Sequence, residues 1–142
     1  MKNATAFLLI SMLSTALPAQ DTPVAAARRL ANTKVFAFGG IGRAAKTSDG
    51  ERDFRIVIAQ PHNGALRQFE DLYANGNPEA KSYALVAIHA LAPVRFNELK
   101  KFLKDSSIKV TTMSGCIVEE KTLASVAKDI AKGNYDSWLK LN

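Results

Sequence analysis

The sequence predicts an α+β domain that is mainly helical: four or five packed helices arranged as antiparallel helical hairpins, with a small β-hairpin near residues 107–119. Three observations predict it. From Ser48 to Lys104 apolar residues recur at helical spacing, and prolines stand where helices would begin. From Ser107 the spacing changes to alternation among β-branched residues, interrupted by Ser114-Gly115. After Thr122 it is helical again.

The chain opens on a segment that reads as a cleavable export signal. Lys2 supplies a positive start, Ala6 to Leu13 an apolar run, and Ala16-Leu17-Pro18-Ala19 small residues for cleavage before Gln20. The run is shorter than the about 20 apolar residues of a membrane-spanning helix. The competing reading, a buried N-terminal helix, lacks charges that would give it a polar face. The expected organisation is therefore a signal over 1–19 and one domain over 20–142, exported to the periplasm or secreted. No later stretch reads as a membrane span, and no cysteine near the cleavage site would take a lipid. Losing Lys2 lowers the formal charge from +6 to +5. The remaining excess is dispersed, without the basic stripe or module of a nucleic-acid binder. Its densest cluster, Lys100, Lys101 and Lys104, fits the solvated face of a helix, with an anionic cell surface as a weak alternative partner.

Taken in order, Asp21-Thr22-Pro23 opens a first helix rich in good helix formers, which ends at Asn32-Thr33. Val35 to Phe38 reads as a short strand or extended segment. Three glycines among residues 39–42 then predict a turn or loop. Ser48 precedes Glu51 by three residues, the spacing of a capping box, and opens a helix to about Ala59 with Phe54, Val57 and Ile58 on one face. Pro61 breaks it and starts the next, which carries Leu66, Phe69, Leu72 and Tyr73 on one side. Asn75-Gly76-Asn77-Pro78 is the strongest boundary. Gly76 suits a left-handed position after a helix, Asn77 a cap, and Pro78 the first helical residue. The helix from Pro78 to Leu91 is apolar almost all round, as a buried central helix is. Pro93 starts another, with Phe96, Leu99, Phe102 and Leu103 expected inward and the lysines outward. The stretch from Pro78 to Leu85, with the following Pro93, resembles one helical-hairpin unit of the HEAT type. That resemblance implies two antiparallel packed helices and does not extend into a repeat. Residues 107–119 then form the hairpin about Ser114-Gly115, with Val35–Phe38 as a possible third strand. Thr122 caps a last helix carrying Leu123, Val126, Ala127 and Ile130, and Gly133 ends it. Trp138 and Leu139 are expected to clamp the C-terminus onto the core.

Little in this pattern carries chemistry. Gly39-Gly40-Ile41-Gly42-Arg43 follows an extended segment, and glycine amides beside an arginine can cradle an anion. It lacks both the dinucleotide fingerprint and the Gly-Lys-Ser/Thr ending of a phosphate loop, so a tight structural loop is its ordinary reading. Cys116 is the single cysteine and closes no internal disulfide. Burial as a small apolar residue is the usual fate of such a thiol; at a hairpin turn it would instead be free, reactive, or paired with a second chain as a homodimer. His62 and His89 lack the further ligands a metal needs. Glu70-Asp71 and Glu119-Glu120 are adjacent pairs, which neither a helix nor a strand points at one substrate. No cofactor or metal is expected. The reading that remains is an exported, non-enzymatic interaction protein whose partner is another protein, bound through Gly40, Gly42 and Arg43 of one loop and Met113, Ser114, Gly115 and Cys116 of the other. The alternatives are a thiol-dependent enzyme or redox protein acting through Cys116, and a small-anion binder using the Gly39–Arg43 loop.

Overall fold

The computed structural model describes residues 21–139; the expected signal segment lies outside them. The elements run α1 (Pro23–Leu30), β1 (Gly40–Ile41), β2 (Lys46–Thr47), α2 (Asp49–Ile58), α3 (His62–Asn75), α4 (Pro78–Leu91), α5 (Pro93–Phe102), β3 (Lys109–Ser114), β4 (Ile117–Thr122) and α6 (Leu123–Ala131), then a 3-10 turn over Asp136–Leu139. The architecture is α+β and mainly helical, as the sequence predicts. Among the described residues no helix is long and apolar enough to cross a membrane.

Helix starts follow local chemistry. Each helix leaves its first amides without intrahelical acceptors, and a polar side chain just before the helix supplies one. Thr22 Oγ1 accepts from the Ala25 amide at 3.2 Å, Ser48 Oγ from Glu51 at 3.0 Å, Asn77 Oδ1 from Ala80 at 2.9 Å and Thr122 Oγ1 from Ser125 at 3.1 Å. Pro61 differs slightly from expectation, standing at the cap position of α3 rather than inside its first turn.

Helix α4 is the centre. Tyr83, Ala84, Leu85, Val86, Ala87 and Ile88 are all fully buried, because α3, α5, α6 and β3 pack around it. On α2, Phe54, Val57 and Ile58 are buried as one stripe, and on α6 Leu123, Val126, Ala127 and Ile130 are. Helix α1 lies on α2, tied there by Arg29, whose Nη2 reaches Asp53 Oδ1 at 2.6 Å. Glu79 joins α4 to β3, its Oε1 accepting from the Thr111 amide at 2.8 Å.

Two local expectations are corrected. Phe102 is 84% exposed, not inward. At 100° per residue it points about 100° away from Leu103, off the Phe96–Leu99–Leu103 stripe. Gly76 is not left-handed: it is extended, with φ −77° and ψ 166°. Glycine stands there because the chain is crowded, since a Cβ would come within 2.6 Å of the Leu72 carbonyl oxygen and 2.7 Å of the Ala80 Cβ.

The β-hairpin is longer than residues 107–119. Strands β3 and β4 pair antiparallel from Lys109↔Thr122 to Ser114↔Ile117, so Gly115 and Cys116 form a two-residue connection. Gly115 has φ +55°, a conformation that favours glycine at the first position of such a loop. Phe36 flanks the other edge of β3 through one parallel bridge to Thr112: its N–H donates to the Thr111 carbonyl at 2.8 Å and its carbonyl accepts from Met113 at 3.2 Å. The glycine segment is also more ordered than a loop, because Gly40 and Ile41 pair with Thr47 and Lys46 as a second small hairpin.

Candidate functional site

The site is built from the anchoring of residues 36–39 upward. Phe36 spends its backbone groups on β3, which leaves those of Ala37 facing the helices. A buried amide and carbonyl need partners, and Tyr83 of α4 meets both. Its hydroxyl accepts from the Ala37 N–H at 3.0 Å and donates to the Ala37 carbonyl at 2.7 Å. Ser48 Oγ lies 3.2 Å from the same carbonyl and 3.3 Å from the Tyr83 hydroxyl. Two residues on, the Gly39 N–H reaches Glu51 Oε2 at 2.8 Å, while Glu51 Oε1 accepts from Arg55 Nε at 3.0 Å and Nη2 at 2.6 Å. Glu51 is 3% exposed. The capping-box spacing is thus half realised: Ser48 caps α2, but the Glu51 side chain goes to the glycine loop instead of back to Ser48. Around this root Phe36, Phe38, Phe54, Tyr83 and Tyr135 cluster edge to face or tilted, as at 4.9 Å between Phe36 and Tyr83 and 5.1 Å between Phe38 and Phe54.

On this root the two loops singled out in the sequence meet. Ile41 bridges Gly115 in parallel, and the Gly42 N–H donates to the Gly115 carbonyl at 2.9 Å. Gly40, Gly42, Arg43, Met113, Ser114, Gly115 and Cys116 therefore share one end of the molecule. Arg43, Ser114, Gly115 and Cys116 are exposed, and Met113 is half-buried. Next to them Ile117 and Val118 are 63% and 60% exposed. Gly42 and Gly115 have open space where a side chain would be. Strand β4 forms the outer edge: the hydrogen-bonded pairing with β3 alternates, so the backbone groups of Val118 and Glu120 point away from it. The expectation of a buried Cys116 is overturned, because the thiol is exposed; the connection meets the glycine loop through Gly115 and leaves Cys116 on the open side.

Beneath the tip is a cleft of about 300 Å³ lined by Phe36, Phe38, Ile117, Tyr135 and Trp138, with Glu119, Lys121 and Asp129. The Trp138 ring closes on the backbone of Gly39, where a Cβ would sit 2.9 Å from it. Lys121 and Asp129 pair at 3.1 Å. The Tyr135 hydroxyl is pushed up to about 12, first by burial and then by Asp129 and Tyr83. Tyr83 is raised too, chiefly by burial. An unfolded tyrosine titrates near 10, so above about pH 10 the folded chain keeps protons that the unfolded chain releases. The stability these tyrosines contribute is full below that pH and is lost as pH rises through about 12. Denaturant midpoints measured across this range should decline, and Tyr135→Phe should flatten the decline. Parallel curves for the two proteins would refute it.

The remaining candidates are engaged elsewhere. His62 Nε2 lies 2.8 Å from the Leu91 carbonyl oxygen. His89 packs on Phe96 and stands 3.8 Å from Asp136. Among the described residues neither bonds Cys116, and no three metal-binding side chains stand together. Glu70 pairs with Arg95 at 3.2 Å and Glu120 with Lys109 at 2.6 Å. In the glycine loop the Gly39 and Gly42 amides already have acceptors. Sequence reading missed Glu51 as the loop's anchor and Tyr83 as the partner of Ala37. The available signal for Tyr83 was a tyrosine inside an apolar helix, whose hydroxyl needs a partner when buried. No protein-family profile, curated protein or solved structure matches the chain.

Proposed function

We propose that the chain is an exported, non-enzymatic binding protein that engages another protein through the joined tip formed by the Gly39–Arg43 loop and the Met113–Cys116 turn. The observation that carries this reading is the meeting of the two loops through Gly42 and Gly115, beside an open strand edge bearing exposed Ile117 and Val118. Adjacent exposed apolar side chains beside free backbone groups suit a partner segment that adds alongside β4, taking hydrogen bonds from the edge and apolar contacts from the tip. The loop's anchored amides favour a partner contact over an open anion cradle.

The test attaches a photocrosslinker to Cys116 and, in a Cys116→Ser background, to Val24→Cys on α1, then exposes both to an extracytoplasmic extract. The expected result is one discrete adduct from the tip position only, weakened about thirtyfold by Val118→Asp, the size of a hot-spot loss. Equal adducts from both positions, or none from the tip, would sink the reading. The exposed thiol favours one second reading, a role for Cys116 itself, in thiol chemistry or in a disulfide-linked homodimer. That reading gains if Cys116 alkylates with a midpoint well below the free-thiol value of about 8.5, or if non-reducing gels show a dimer that Cys116→Ser abolishes.

A further inference from the structure

Away from the tip, α5 and α6 pack side by side and leave a groove of about 460 Å³ between them. Leu103, Ala124 and Ala131 give its apolar lining, and Lys100 and Lys101 of α5, Lys104 in the turn after it, Lys128 of α6 and Lys132 just past its end give the charged lining. The spacing is helical on both sides. Ala124, Lys128, Ala131 and Lys132 lie three and four residues apart, beside the stripe of α6 that enters the core, and Lys100, Leu103 and Lys104 do the same on α5. The sequence shows only the α5 cluster; the packing of the helices adds the other two lysines.

Among the described residues no carboxylate lines the groove. Among the described residues none of these five lysines lies within ion-pair distance of an acid, whereas Lys109 and Lys121 each have one. Five unpaired ammonium groups along one apolar furrow repel one another, and nothing in the core requires them there. They are poised to meet negative charge from outside. We propose that this groove docks the protein on an anionic lipid bilayer. A bilayer suits it better than an acidic protein because the lining holds only lysine, leucine and alanine. It has no amide, hydroxyl or guanidinium to fix the register of a peptide. Flexible ammonium groups on aliphatic stems instead adapt to headgroups that move laterally, the stems lying against the apolar floor while the charges reach the phosphates.

The experiment is co-sedimentation of the full chain with vesicles of phosphatidylglycerol in phosphatidylcholine, and with phosphatidylcholine alone. Each lysine near an anionic surface raises partitioning about fivefold, so Lys100→Gln/Lys104→Gln/Lys128→Gln should lower it about a hundredfold. Binding should weaken steeply with salt, as screening demands. An equally charged control, Arg28→Gln/Lys34→Gln/Arg67→Gln, removes three exposed cations elsewhere and should retain most of the binding. Circular dichroism and thermal melts of both variants serve as the check that each is folded. Equal losses in the two variants would reduce the effect to net charge. Equal binding to both vesicle types would make it an apolar association that does not read the headgroup charge. No binding to anionic vesicles, with capture by polyglutamate instead, would make the face a protein-docking one. Each of these results overturns the proposal.

Discussion

Tyr83→Ala is expected to cost about 3–5 kcal/mol, the range for deleting a buried aromatic side chain, and to loosen the whole tip. The ring is fully buried on α4, between Phe36, Phe38 and Phe54, so its removal leaves a cavity where the helices meet the extended segment. The hydroxyl adds a separable part. In Tyr83→Phe the ring stays, and Ser48 can still donate to the Ala37 carbonyl, but the Ala37 N–H loses its acceptor. An orphaned buried donor costs about 1–3 kcal/mol. Denaturant unfolding of the three proteins separates ring from hydroxyl. A Tyr83→Phe midpoint equal to that of the parent would show that the Ala37 amide finds water or another acceptor.

Glu51→Ala should cost about 2–4 kcal/mol, since the carboxylate is almost wholly buried and accepts three hydrogen bonds, two of them from a guanidinium. Glu51→Gln keeps an acceptor for Gly39 and should cost less. The two also differ locally. In Glu51→Ala the Gly39 amide is freed, and hydrogen exchange at Gly39 and Gly42 should accelerate more than at α4. Uniform acceleration would mean that Glu51 supports the core as a whole and not the loop in particular.

The helices were legible because their signals are local. A cap, a proline and an apolar stripe all fall within a few residues, as at Asn77-Pro78 and Thr122. Misreadings arose where two causes select the same residue. Gly76 satisfies both a left-handed bend and a crowded extended turn, and only the folded structure separates them. Phe102 is apolar and near the stripe of α5, yet a quarter-turn off it. The tip residues could be listed from sequence as two loops, but their union could not. It depends on β3 lying between β4 and the Phe36 segment, a relation between distant parts of the chain. Glu51 was hidden for a different reason: its spacing from Ser48 already had a local explanation, which masked the longer-range one. The lysines of α6 were unremarkable until α5 lay beside them.

The single bond from Gly42 to Gly115 also sets when the tip can exist. The helical hairpins from α2 to α5 are short-range structures that can form early, whereas joining β1 to β3 must close a loop spanning all four helices between them, and such contacts carry the larger entropy cost. The tip is therefore expected to close late in folding, after the helices between its two loops. A chain with its helices formed but its ends not yet gathered presents two separate glycine turns and no shared surface. Recognition there would act as a check on completed folding, because a partner that reads both turns at once cannot be satisfied by an intermediate.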